Sequence, residues 1–143
     1  MKMKAEQKNT ALLLLASLTV MFIVIVIQMT VLQDLLSGII FLLPFLLWAI
    51  VGGILVIYAL ANKWPKLLQW SLMGAGCAAI GMIIGILAHN FFYAVAEMSY
   101  NESVYSVAII EVYSVFFFIE AVVVCPLIFI VSLISSFILL LRK

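Results

Sequence analysis

The sequence predicts an all-α membrane protein: a bundle of four transmembrane helices, both termini cytoplasmic, with an apolar amphipathic segment on the outer side. Three observations carry that prediction. Of 143 residues, 69% are hydrophobic and 9% charged, with a mean hydropathy of +1.40. A fold this small leaves much of its surface exposed, so that much apolar side chain calls for lipid as the solvent. Apolar stretches of about 20 residues, the length that crosses a hydrocarbon core, recur at 11–32, 39–60, 71–96 and 121–141. Finally, four spans put Lys2, Lys4, Lys8, Lys63, Lys66, Arg142 and Lys143 on one side. Asp34, Glu97, Glu102, Glu111 and Glu120 then fall on the other side or near its interface. Basic residues beside span ends mark the cytoplasm.

The chain opens on a short polar run, and Asn9 or Thr10 is expected to cap the first helix. Lysines before an apolar run also describe a signal peptide. Here the run is long and no small-x-small cleavage site follows, so a retained span is expected over 11–32. A tight turn at 33–38 carries Asp34. The second span has Pro44 in its first turns, where proline is tolerated best, and Gly52-Gly53 at mid-span as a close-approach point or a bend. Residues 61–70 combine Lys63, Trp64, Pro65, Lys66 and Trp70, the composition of a membrane–water interface.

The third span is the expected centre of the bundle. Cys77, Gly81, Gly85, His89 and Tyr93 recur every four residues, a slowly drifting stripe on a helix. Gly81 and Gly85 form a GxxxG, and Gly74 and Ala78 share its spacing. Small residues let helix backbones approach closely in lipid. Gly74, Cys77, Ala78, Gly81 and Gly85 are therefore the expected packing interface, within this bundle or with a partner.

Residues 104–141 carry only two charges, Glu111 and Glu120. As one helix they would run ~57 Å, almost twice the hydrocarbon thickness. The last span is accordingly set at 121–141, and 104–120 is expected as an outer interfacial or protruding helix. That segment repeats imperfectly, VYSVAIIE then VYSVFFFIE, and gathers Ser103, Ser106, Glu111 and Ser114 toward one face. A five-span alternative would break the run at Cys125-Pro126. It puts Arg142 and Lys143 outside and lacks a polar turn.

Polar residues at membrane depth usually face the bundle or a wet cavity. Gln28, His89, Asn90, Tyr93 and Glu120 should lie at similar depth and are expected as one outer polar cluster. It would serve as a hydrogen-bonded network, a substrate or ion vestibule, or a metal site. Glu97 and Glu111 belong to the outer segment. One histidine and scattered carboxylates lack metal-ligand spacing, so no metal is expected. Cys77 and Cys125 should lie in opposite halves of different helices, too far apart for a disulfide. Asn101-Glu102-Ser103 matches a glycosylation acceptor in the expected outer loop.

Function classes narrow by subtraction. A net charge of +1 gives no argument for nucleic acid. No phosphate loop, dinucleotide fingerprint, zinc-protease motif, cysteine pair or Gly-x-Ser serine motif occurs, so neither a catalytic centre nor a cofactor is expected. The favoured expectation is one four-span domain in the cell membrane. It acts without catalysis through helix–helix contacts, as a homo-oligomer or an accessory subunit of a larger membrane complex. The alternative is an oligomeric small transporter or channel using the outer cluster around His89 and Glu120.

Overall fold

A computed structural model describes residues 5–31, 39–99 and 104–142. Asp34 and its turn, the 101–103 glycosylation triplet, the Ser106 side chain, Lys2, Lys4 and Lys143 lie outside the described residues and side chains. The described chain is all helical: α1 (Ala5–Val31), α2 (Ile39–Ala61), α3 (Lys66–Met98), α4 (Val104–Ile119), a π-helical turn (Glu120–Val124) and α5 (Cys125–Leu141). Four helical runs are long and apolar enough to cross a membrane, the last of them joining α4, the π turn and α5.

The four runs alternate in direction. At one end, Gln7 donates to Asn62 Oδ1 at 2.7 Å and the Tyr58 hydroxyl to the Gln7 carbonyl at 3.2 Å. Gln69 donates to the Ala59 carbonyl at 3.2 Å, fixing the start of α3 beside the end of α2. Lys8, Lys63, Lys66 and Arg142 flank this end, called here the basic end. Thr10 is no cap: the helix starts earlier, and its hydroxyl bonds back to the Glu6 carbonyl at 3.0 Å, as threonine does inside a helix.

α3 packs against α2, α4, the π turn and α5, while among the described residues α1 reaches α2 and α5 alone. Half of the apolar window of α3 is buried, against 22% or less in the other three runs. Its contact with α2 is a glycine crossing. A Cβ on Gly52 would sit 2.7 Å from the Ala79 Cβ and 2.8 Å from the Gly76 carbonyl oxygen. A Cβ on Gly76 would meet the Gly52 oxygen at 2.5 Å and Val56 Cγ2 at 2.6 Å. Gly52 is thus a close-approach point, whereas Gly53 faces open space with Ile80 4.0 Å away. On the other side of the bundle, Trp48, Phe22 and Phe129 join α2, α1 and α5, with centroids 5.0–5.6 Å apart. The buried Trp48 indole donates to the Leu18 carbonyl at 3.0 Å, so its one polar group is satisfied.

The two longest runs exceed the bundle. Gln28, near the end of α1, donates to the Phe41 carbonyl near the start of α2 at 2.6 Å. Met29, Phe41, Ile86, His89, Asn90, Phe118, Ala121 and Val122 line one small pocket and so mark a common level. Beyond it stand the end of α3 and most of α4, which among the described residues reaches the pocket only through Phe118, about 20 Å of helix. Phe92 stacks on Phe117, 5.5 Å apart and 3° from parallel, and on Tyr113 at 5.6 Å. The segment 104–120, expected as an interfacial or a protruding helix, is helical over 104–119 and enters the π turn at Glu120. It continues the last run, because the aromatic seam with α3 holds it in line.

Candidate functional site: the polar seam of the α3–α4 hairpin

His89 lies on α3 where that helix leaves the bundle. Its Nδ1 is 2.9 Å from the Ser114 hydroxyl and 2.9 Å from the Ser114 carbonyl oxygen. The same hydroxyl is 3.4 Å from the His89 carbonyl oxygen. Either ring tautomer fits this arrangement. With Nδ1 unprotonated, the hydroxyl donates to it. With Nδ1 protonated, the ring donates to the Ser114 carbonyl and the hydroxyl turns to the His89 carbonyl. Ser114 is 4% exposed, and burial away from competing water raises the worth of such bonds. The pair ties α4 to α3.

Beside the pair, a cleft of about 520 Å³ is lined by His89, Tyr93, Ala96, Glu97, Glu111, Ser114 and Val115. α3 contributes its residues at i, i+4, i+7 and i+8, one face of a helix. The cleft contains acidic groups and a histidine but no lysine or arginine.

Glu120 belongs to a different place. It opens the π turn, and its carboxylate lies over the bare glycines of α3. Oε1 is 3.5 Å from where a Gly81 Cβ would sit, and Oε2 is 2.9 Å from the same point on Gly85. The Cys125 thiol donates to Oε1 at 3.6 Å. Pro126 accounts for the turn. It has no N–H to continue the α ladder, and the Cys125 N–H bonds to the Glu120 carbonyl instead. Such π turns are often found at functional sites.

The expected five-residue outer cluster is thus divided. Gln28 bonds to the Phe41 carbonyl, His89 to Ser114, and Glu120 to Cys125. Asn90 is exposed and Tyr93 is 55% exposed. His89 and Glu120 take separate partners among these contacts, Ser114 for the ring and Cys125 for the carboxylate. The packing stripe divides too. Gly74, Ala78, Gly81 and Gly85 are partly or fully buried, but Cys77 is exposed. A four-residue step advances about 40° on a helix, so both ends of the stripe rotate off the contact face. Gly74 meets Ser132 of α5, Gly81 meets Cys125, and Gly85 meets Ala121.

Two important residues escaped the sequence reading of the site. Ser114 was grouped with the polar face of its helix but not with His89, and Gly76 went unremarked. Gly76 has a recoverable signal, the run Gly74-Ala75-Gly76 facing Gly52-Gly53. Among the described residues, no group of three or more His, Cys, Asp or Glu could hold a metal ion. Comparison with protein-family models, with curated proteins and with solved structures finds no match to this chain.

Proposed function

We propose that this chain is a small multi-pass protein of the cell membrane with both termini cytoplasmic. In this reading it acts without catalysis, through helix–helix contacts, as a self-associating protein or an accessory subunit of a larger membrane complex. The observation that carries the reading is the apolar surface of α4 beyond the common level of the other helices. There Ile109, Val112, Val115 and Phe116 are 59%, 68%, 55% and 61% exposed. An apolar stripe that leaves the bilayer seeks a partner, and the stripe continues through Val123 of the π turn to Leu127 and Val131 of α5. Gly81 and Gly85 do not offer the contact, since the chain's own π turn covers them. The basic end, with Trp64 and Trp70, supports a cytoplasmic interface there.

The test is the mass of the protein in lipid nanodiscs, by light scattering and native mass spectrometry, for the wild type and for Val112→Gln with Phe116→Gln. The reading expects an oligomer, or a co-purifying membrane subunit, that the double variant loses. A wild-type monomer that brings no partner from its native membrane overturns it. The alternative is an oligomeric transporter or channel that uses an outer polar cluster around His89 and Glu120. Their separate partners give it less support.

A further inference from the structure

We propose that the cleft between α3 and α4 binds a small organic ammonium ion, its charge toward Glu97 and Glu111 and its apolar body against Tyr93, Ala96 and Val115. The inference is independent of the partner of α4, since among the described residues the cleft and the exposed stripe share only Val115.

The cavity itself is the first observation. Its volume of about 520 Å³ falls within the range of small-molecule sites, about 300–1,000 Å³. α4 matches the single face offered by α3 with Glu111, Ser114 and Val115, at i, i+3 and i+4. The His89 and Tyr93 rings stand 6.2 Å apart, and with Ala96 and Val115 they give the cleft aromatic and aliphatic walls. Apolar walls with a few placed polar groups are the build of a ligand pocket.

Charge sets the sign of the ligand. One acid comes from each helix, Glu97 from α3 and Glu111 from α4. Tyr93 donates a hydrogen bond to Glu97, but a neutral donor leaves the charge in place. Ser114 is engaged by His89. No lysine or arginine of the chain can answer either acid. Back along α3 from Glu97 the first is Lys66, and forward from Glu111 the first is Arg142, each 31 residues away, about 46 Å of helix. Residues 31–38, which join α1 to α2, hold none either. A cleft with one sign of charge and low-dielectric walls focuses its field and concentrates counter-ions.

Spacing sets the size. His89 and Glu97 are eight residues apart on α3, about 12 Å. Among the described residues no three His, Cys, Asp or Glu converge to hold a metal ion. A molecule can answer the acids and cover the walls at once, which a bare ion cannot. An ammonium group also brings three donors to the carboxylate oxygens.

The test uses the chain's only histidine, whose imidazole gives one NMR signal from the cleft wall. The full chain in phosphatidylcholine nanodiscs is titrated with benzylamine at neutral pH, and separately with benzyl alcohol, a neutral match that also enters lipid. Benzylammonium should move the His89 signal saturably, and benzyl alcohol should not. Glu97→Gln with Glu111→Gln should raise the apparent Kd about tenfold, whereas Glu6→Gln, at the basic end, should leave it unchanged. Discs containing phosphatidylethanolamine separate two sources of the ammonium group. A His89 signal already moved there, and restored by the double variant, assigns the site to a lipid headgroup. A signal that moves only on adding benzylamine assigns it to a soluble amine. No saturable movement in either disc, an equal response to benzyl alcohol, or an unchanged Kd in the double variant overturns the site.

Discussion

A methyl group at Gly85 has nowhere to go. It would lie 2.9 Å from the Ala121 Cβ and 3.1 Å from the Phe117 carbonyl oxygen, both on the neighbouring run. Overpacking of this kind costs about 1–3 kcal/mol, set against a gain of ~1 kcal/mol from replacing a helical glycine. Gly85→Ala should therefore destabilise the fold, whereas Gly53→Ala should stabilise it by up to ~1 kcal/mol, since its Cβ meets only open space. Unfolding of the two variants in detergent checks the pair, and a stabilised Gly85→Ala would count against the close seam. The spacing of Gly81 and Gly85 was legible in the sequence because four residues is nearly one helical turn. Their partner was not. Which side chain of the last run faces Gly85 depends on helix register, and the π turn alters that register without any mark except Pro126. His89 misled for a similar reason: depth along a helix can be counted from the sequence, but its direction around the axis relative to another helix cannot. That is how His89 was grouped with Glu120, whereas its ring turns to Ser114.

At the scale of elements, the last run shows what a proline does when packing forbids a break. Length alone separated 104–120 from 121–141, since 38 residues overrun a bilayer. Yet the aromatic seam of Phe92, Tyr113 and Phe117 holds α4 along α3. The chain absorbs the missing N–H of Pro126 as one wide turn instead of ending the helix. Pro126→Ala restores the donor and removes the reason for that turn. Relaxation to an α ladder would rotate α4 relative to α5 by up to about 100°, one residue's worth of helix, and expose one side of the seam. Cys125 is buried and Cys77 exposed in the native chain, so the thiols report the change. In mild detergent, a small maleimide should label Cys77 faster than Cys125 in the wild type. Pro126→Ala should accelerate Cys125 while leaving Cys77 unchanged. Unchanged protection of Cys125 would mean that packing on Gly81, rather than the proline, dictates the turn.

For the whole molecule, the legible part was the count of long apolar helices and the segregation of charge, because both are properties of composition along the chain. Four antiparallel runs bring the described basic residues to one end and Glu97, Glu111 and Glu120 toward the other, with no buried ion pair among the described residues. The orientation we propose, with both termini cytoplasmic, rests on that asymmetry. Lysine and arginine within a short distance of span ends oppose translocation, and here every one of them votes for the same side. A fluorescent protein fused after Lys143 should therefore fold and fluoresce in the cytoplasm of a bacterial host. A phosphatase active only outside the cytoplasm should work when inserted after residue 101 and fail when inserted after residue 63. Three lysines added at 99–102 should reduce the phosphatase signal at 101, since they set two sides in competition. Activity of the phosphatase after Lys143 would require either an inverted bundle or an odd number of spans. An odd number would in turn demand a polar turn between Glu120 and Leu141, where the chain has instead a continuous helix.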